Sequence, residues 1–485
     1  MNNSPLNIVW LKRDLRTRDH AALAAAEARH MRYLIIYLVE PDWLQRSDFG
    51  LRHWQFVGGS IADINQRLKP FGLDVKVFFG DPIEVFSWLC DHYPVDSVYS
   101  YQESGTLQTW ERDRGVAAQL KRSGTNWQQF QTGGVVRGSR NRRGWDRQWF
   151  ASVDTAPIEN HYRRHPTIQI QHPFSLPANL SDALLDYPAQ MQPPGESKAW
   201  AYLSSFAAER GHCYMQNISK PGASRTSGGR VSPYLAWGNL SSRQVYRYII
   251  QHPNYARHKK NFSAFTTRLK WRCHFIQKFE VECRYEDECI NRGFELLQHQ
   301  PNDDFIRRWQ SGDTGYPLVD ACMRCVIHSG WLNFRMRAML VSFLCHHLDQ
   351  DWRIAAAFLA RQFLDYEPGI HFPQVQMQAG TTGINTIRIY NPVKQSQDQD
   401  AGGQFIKKWL PELTNLPSAY LHQPWLMPPF EQVFNNFALG VDYPEPLIDI
   451  AASGARARDK LWGHRQHPEV QMEKSRLLRT HTRNR

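Results

Sequence analysis

Four short, almost continuous apolar runs mark the first hundred residues. Asn7, Ile8, Val9, Trp10 and Leu11 form the first, Tyr33–Val39 the second, residues 73–79 the third and Val95–Tyr101 the fourth. Pro41 stops the second run, and Gly80-Asp81-Pro82 stops the third. Residues 127–136 read as a fifth strand. Between these runs, Ala21–Ala28 is Ala-rich, and residues 111–120 form a charged stretch with helical character. Apolar strands that alternate with helices predict a parallel α/β sheet covered on both faces.

After Val136 this rhythm breaks. Arg140, Arg142 and Arg143, followed by Pro188, Pro193 and Pro194, read as a long connector. From Lys198 onward the patterning is mainly helical, and Phe334, Val341, Leu344 and Leu348 are expected on one helical face. No internal repeat is visible. The expected organisation is a Rossmann-like α/β domain over 1–135, a linker over 136–197, an all-α domain over 198–430 and an extension with a basic tail over 431–485. Neither Gly-x-Gly-x-x-Gly nor Gly-x-x-x-x-Gly-Lys-Ser/Thr occurs, which argues against a simple dinucleotide-binding enzyme.

Composition narrows the classes. A chain of 485 residues with 42% hydrophobic and 21% charged residues is globular, not mostly disordered. Its 17 Trp residues suit either large flat ligands or an aromatic-rich core. The net charge of +12 favours a polyanionic partner. Half of that charge lies in residues 455–485, where nine basic residues face three acidic ones, and such a tail also fits a solvated terminus. No run approaches the roughly 18 apolar residues of a membrane span. The apolar stretch before Lys12-Arg13-Asp14 is short for a secretory signal. A cytoplasmic protein without a disulfide framework is expected from these features and from eight Cys. The sequence fixes no oligomeric state, and a monomer is favoured.

The most informative run is Thr314-Gly-Tyr-Pro-Leu-Val-Asp320-Ala-Cys-Met-Arg324. It is followed by Gly330-Trp-Leu332, Arg335-Met-Arg337, Asp351-Trp-Arg353, Arg388-Ile-Tyr-Asn391-Pro392 and Phe405-Ile-Lys-Lys-Trp-Leu-Pro-Glu-Leu413. With Val9-Trp-Leu-Lys-Arg-Asp-Leu15-Arg16, Ser232-Pro-Tyr-Leu235 and Gly238-Asn-Leu-Ser241, the set resembles the photolyase/cryptochrome flavoprotein family from about Ile8 to Trp425. Each motif is weak alone; their order and spacing carry the resemblance. It implies an antenna-type α/β domain, a linker and a helical domain that holds FAD.

The resemblance also implies site residues. Ser232 and, at a longer spacing, Tyr214 match groups on the FAD diphosphate. Arg272 matches an Arg near the cofactor. Arg337 and Asp365 match an Arg–acid pair beside the flavin ring, and Glu367 matches the acid at the pyrimidine edge. Trp271 matches an aromatic wall for extruded bases, as in other enzymes that act on flipped nucleotides. Judged by residue chemistry alone, Arg337 with Asp365 is an ordinary core ion pair and Trp271 a core Trp.

Several positions depart from the family pattern. Arg268 stands where a substrate-binding Glu is common, and a guanidinium only donates hydrogen bonds. Asn333 comes one residue early in Trp331-Leu-Asn333-Phe-Arg335, about 100° away if that stretch is helical. His371 occupies the position of an Asn near flavin N5; a structural His beside Phe372 is the plainer alternative. Val375 replaces the Trp nearest the flavin, whereas Trp352 matches the middle member of the usual electron-transfer chain. Cys322-Met-Arg-Cys325 reads as packing, with no metal site expected. The adjacent His346 and His347 point in different directions on a helix.

Together these features predict a deoxyribodipyrimidine photolyase, a carbon–carbon lyase that uses light and reduced FAD to split cyclobutane pyrimidine dimers in UV-damaged DNA. Arg268, Trp271, Asn333 and Trp352 are its expected catalytic positions. The alternatives are a cryptochrome-like photoreceptor without repair, a (6-4) photolyase, and a DNA-binding flavoprotein that has lost activity. Asn333-Phe334 and Ala338 lie where (6-4) enzymes usually carry a His pair, which argues against that reading. The α/β domain is expected to hold a folate or deazaflavin antenna pigment, or none.

Overall fold

The computed structural model describes residues 4–139, 141–142 and 144–481. Arg140 and Arg143 of the expected connector, and Arg483 and Arg485 of the basic tail, lie outside the described residues. The chain packs into two compact units. The first gathers residues 1–209, 229–284 and 364–370, and the second gathers 210–228, 285–363 and 371–485.

The first unit is built on a five-stranded, wholly parallel sheet in the order β3-β2-β1-β4-β5. Its strands are β1 (Leu6–Leu11), β2 (Tyr33–Val39), β3 (Val75–Phe79), β4 (Val95–Tyr101) and β5 (Asn126–Phe130). Every residue of β1 and β2 is buried, as expected for central parallel strands covered on both faces. Ile8 and Trp10 pack with Leu34, Ile36, Val98, Phe86 and Leu120 into one core. Trp10 meets Phe86 edge-on, with ring centroids 5.1 Å apart. The fifth strand ends at Phe130, earlier than the apolar pattern suggests. Beyond it Gly133 takes φ +55° and the chain turns away.

The stretch 136–197 contains two helices, Trp145–Asp154 and Ala178–Leu185, and its segment at Ile168, Ile170 and Phe174 lines the sheet core. The first unit then takes in the helices Glu196–Ala208, Ser232–Ala236, Ser242–Gln251 and Lys259–Val281.

The second unit is helical. The helix Phe334–Ser342 runs into a π-helical turn over Phe343–His347. The extra residue in that turn shifts the helical register. Phe334 does not share a buried face with Val341, Leu344 and Leu348: it is the first residue of its helix and is 47% exposed, whereas those three are buried. Residues 450–481 fold as the helices Ile450–His464 and Pro468–His481, which bury Leu461, Val470 and Leu477. Most of the basic tail is thus folded helix rather than a solvated terminus. Among the described residues, no helix is long and apolar enough to cross a membrane.

Candidate functional site

The site in the first unit begins where the chain leaves β1. Leu15 N–H donates to Trp237 O at 3.1 Å. Asn239 Nδ2 donates to Leu15 O at 2.8 Å, and Arg16 Nη1 donates to Gly238 O at 3.0 Å. The two backbones come so close that a Cβ on Gly238 would lie 2.2 Å from Arg13 O, and Gly238 itself takes φ +75°. This approach gives the Gly238-Asn-Leu-Ser241 motif its physical reason. It also docks the short helix Ser232–Ala236 against the carboxyl end of β1, with Ser232 as its first residue and Pro233 next.

Arg13 extends this joint. Its Nη1 donates to Tyr366 O at 2.9 Å and Ala236 O at 3.3 Å, and its guanidinium lies over the Trp237 ring at 4.4 Å. Trp237 Nε1 donates to Leu364 O at 2.8 Å. The segment carrying Asp365 and Glu367 is fixed by these bonds.

The helix Lys259–Val281 supplies the other wall. It buries Phe262, Phe265, Leu269, Cys273, Ile276 and Phe279. Arg268 is exposed, and Trp271 is 49% exposed, with its ring centroid 6.1 Å from that of Phe275. The next residue, Arg272, turns inward. Its Nη2 donates to Leu235 O at 3.0 Å and to Glu367 Oε1 at 2.7 Å. Burial pushes the Glu367 carboxyl above the ordinary range, although Arg272 and Arg13 oppose the shift. Glu367 Oε2 is buried with no partner. A carboxylate held at one oxygen and open at the other suits a ligand N–H.

The carboxyl ends of β1, β2 and β4 meet in a buried ion cluster that the sequence reading did not find. Arg112 binds Glu40 at 2.8 Å, Glu103 at 2.6 Å and Asp113 at 2.9 Å. Lys12 Nζ binds Asp113 at 2.9 Å. Burial raises the Glu40 carboxyl and lowers the Lys12 ammonium. Glu103 is held below the ordinary range: burial pushes it up, but Arg112, Arg13 and Lys12 together prevail. Beside the cluster is a narrow cavity of about 20 Å³ walled by Trp10, Trp43, Trp54 and Trp237. The Trp43 and Trp54 indole N–H groups are buried without partners. In the sequence nothing named Arg112 as the cation that Glu40 and Glu103 share.

The remaining expected residues lie in the second unit. Tyr214 is buried. Asn333 precedes its helix in non-helical backbone, so the 100° rotation argument does not apply. Its Nδ2 donates to Ile218 O at 3.0 Å, and its Oδ1 is buried and unpartnered. Arg337 Nε donates to Leu332 O at 2.9 Å, and its guanidinium lies 3.9 Å over Phe363. His371 Nε2 pairs with Ala356 O at 2.8 Å, and its ring packs edge-on against Phe372. Trp352 is buried, with Arg353 at 4.8 Å over its ring. Val375 is buried. The structure thus pairs Arg272 with Glu367 and sets Arg268 and Trp271 on one helix of the same unit. Arg337 belongs to the second unit and Asp365 to the first. Among the described residues, no group of His, Cys, Asp and Glu is placed to hold a metal ion.

Two sequence models of one family match the chain: DNA photolyase over residues 7–142, and the FAD binding domain of DNA photolyase over residues 265–463. The chain belongs to the photolyase/cryptochrome family. It is 28% identical over 491 residues to the deoxyribodipyrimidine photo-lyase of Alkalihalophilus pseudofirmus, covering 94% of this chain and 98% of that protein. It is 27% identical over 496 residues to a cryptochrome DASH of Gloeobacter violaceus, covering 94% and 96%. In fold it is similar to a cryptochrome from Synechocystis, with a TM-score of 0.83 at 24% identity over 95% of this chain and 99% of that one. As a photolyase/cryptochrome, the chain carries an FAD-binding domain. The open Glu367 Oε2 fits that cofactor, because a flavin edge offers an N–H to an acceptor.

Proposed function

We propose that this protein repairs cyclobutane pyrimidine dimers in DNA, using light and reduced FAD. The observation that carries the reading is the division of labour on the helix Lys259–Val281. Trp271 and Arg268 face outward one turn apart, while Arg272, adjacent to Trp271, turns inward to Glu367. One rigid element thereby joins an outward stacking surface to an inward cofactor contact.

In this reading Arg272 and Glu367 hold the flavin edge, Ser232 and Tyr214 its diphosphate, and Arg337, Asp365 and His371 the ring. The bound, reduced flavin supplies one electron on excitation and takes it back once the dimer has split. Trp271 offers its face to the extruded bases, a contact that tolerates any base because every base has a π-face. Arg268 donates to a lesion carbonyl or to a flanking phosphate, a role its exposure permits. Asn333, with its Oδ1 unsatisfied, is a further polar contact for the lesion. Trp352 relays electrons to the flavin by a route that does not use position 375. The Trp-walled recess beside Arg112 is the proposed point of contact for an antenna pigment, folate or deazaflavin, because its two open indole donors suit an acceptor at the edge of such a ligand.

A cryptochrome-like photoreceptor is the second reading, favoured by the relatives named cryptochrome DASH and by Val375. The two are separated by one assay. The flavin is reduced chemically, so that Val375 has no influence, and the protein is illuminated with a single-stranded oligonucleotide carrying one thymine dimer. Light-dependent recovery of intact thymines, absent in the dark, supports repair. Binding without recovery refutes dimer repair; the (6-4) lesion is then assayed in the same way before the photoreceptor reading is adopted.

A further inference from the structure

Within the first unit, β5 is the last strand on its side of the sheet, and the helix Leu107–Arg122 packs beside it. Between them runs a groove of about 510 Å³. Two periodicities build its walls. Trp110, Arg114, Ala117 and Lys121 fall at i, i+4, i+7 and i+11, on one stripe of the helix. Trp127 and Gln129 fall at i and i+2, on one face of the strand. The groove shares no lining residue with the recess beside Arg112.

Three cations, Arg114, Lys121 and Arg137, line the groove against one carboxylate, Asp113. That carboxylate is already engaged, by Lys12 at 2.9 Å, Arg112 at 2.9 Å and Arg137 at 3.2 Å. Arg137 also lies over the Trp110 ring at 4.3 Å. Arg114 and Lys121 are exposed, and among the described residues neither meets a carboxylate. They stand about 10 Å apart along the helix axis, with only the methyl group of Ala117 between them. Two side chains of that length converge on one anion above Ala117.

The other lining groups call for more than an anion. The Trp127 indole N–H donates to Ser100 Oγ at 3.0 Å, which fixes that ring in the wall. Trp110 Nε1 and Gln129 Nε2 are buried with no partner. Buried donors are satisfied in the great majority of cases, so each of these asks for an acceptor. A flat ring with nitrogen or carbonyl acceptors, seated between helix and strand, supplies both.

We propose that this groove binds a nucleoside phosphate, with its base against Trp127 and its phosphate over Ala117, between Arg114 and Lys121. The volume falls within the range of small-molecule sites, about 300–1,000 Å³. The proposal is independent of the lesion the protein acts on.

Titration calorimetry of the full-length, flavin-loaded protein with adenosine 5′-monophosphate tests it. The expected dissociation constant is on the order of 10–100 µM, and it rises with salt. Adenosine and ribose 5-phosphate, each carrying half of the ligand, bind at least ~10-fold more weakly. The double variant Arg114→Glu, Lys121→Glu binds the nucleotide at least ~30-fold more weakly, and Ala117→Trp, which fills the groove, removes binding. All three positions are exposed, so flavin absorbance and thermal midpoint stay as in the wild type. Absence of binding to the wild type overturns the proposal. So does binding undiminished in Ala117→Trp, which places the nucleotide elsewhere. Ribose 5-phosphate bound as tightly as the nucleotide also overturns it, because the groove then holds an anion without a base. A thymidine hexanucleotide that binds the wild type but not Ala117→Trp, while the mononucleotide does not bind, overturns it and assigns the groove to a nucleic-acid strand.

Discussion

Replacing Glu280 by Gln should make the protein more stable, and increasingly so as pH rises. Glu280 is the penultimate residue of the helix Lys259–Val281, against the loop after β5. There Gln277 both accepts from Val136 N–H at 2.7 Å and donates to Val136 O at 3.0 Å. Glu280 Oε1 accepts Gly138 N–H at 3.2 Å, and Oε2 is buried with no partner. Burial pushes the carboxyl up to about 7, although Ser104 and Gly138 oppose the shift. A raised folded-state value means that the folded chain holds the proton more tightly than the unfolded one. The stabilisation is complete below the unfolded value of about 4.3 and is lost as pH rises through about 7. With 1.36 kcal/mol per pH unit, the cost of ionising Glu280 grows from about 1 kcal/mol at pH 5 to between about 3 and 4 kcal/mol at pH 8. Gln keeps the acceptor for Gly138 and never ionises. Urea unfolding of the full-length protein at pH 5, 6, 7 and 8, followed by Trp fluorescence, measures the difference between variant and wild type. A gap that widens by about 2 to 3 kcal/mol and levels off above pH 7 is expected. Parallel curves from pH 5 to 8 would refute the reasoning, because the carboxyl would then ionise as freely folded as unfolded.

Trp271→Ala should weaken binding of a dimer-containing oligonucleotide by roughly 5- to 150-fold in a gel-shift titration, the value of one stacked base, while flavin content stays constant. Glu367→Gln leaves the inward Arg272 without its carboxylate. Breaking a buried pair costs about 3–5 kcal/mol, so the ratio of bound flavin to protein, read by absorbance, should fall at least ~10-fold. Gly238→Ala places a Cβ 2.2 Å from Arg13 O at a residue with φ +75°, so the thermal midpoint should fall by several degrees through about 2–4 kcal/mol of strain.

What the sequence made legible was whatever repeats locally. The strand β2 announces itself because a strand buried on both faces is hydrophobic along its whole length, and β1 does so with the single break of Asn7. The site motifs were legible as a set, since each sits at a backbone constraint such as Gly238. The ion cluster was not legible: Lys12 and Asp113 are 101 residues apart, and no periodicity links them. The face drawn through Phe334, Val341 and Leu344 failed because Phe334 is the first residue of its helix, where a face buried further along is still open to solvent, and periodicity does not mark where a helix begins. Asn333 was misplaced for a related reason. Gly330 takes φ +69° and ends its helix there, so the residues after it do not continue the helical count.

The first unit is assembled from three separate stretches of chain, and this orders its birth on the ribosome. The sheet is complete in sequence at Phe130, but Trp237, Arg272 and Glu367 belong to the same unit. Translation proceeds at about 5–20 residues per second, so the segment bearing Glu367 follows residue 209 by roughly 8 to 30 s. During that interval Arg13 has neither Tyr366 O nor Glu367 nearby, and Arg272 has no carboxylate to meet. The nascent sheet must therefore wait with part of its polar joint open, and a chain arrested before residue 364 should be the form that chaperones hold longest.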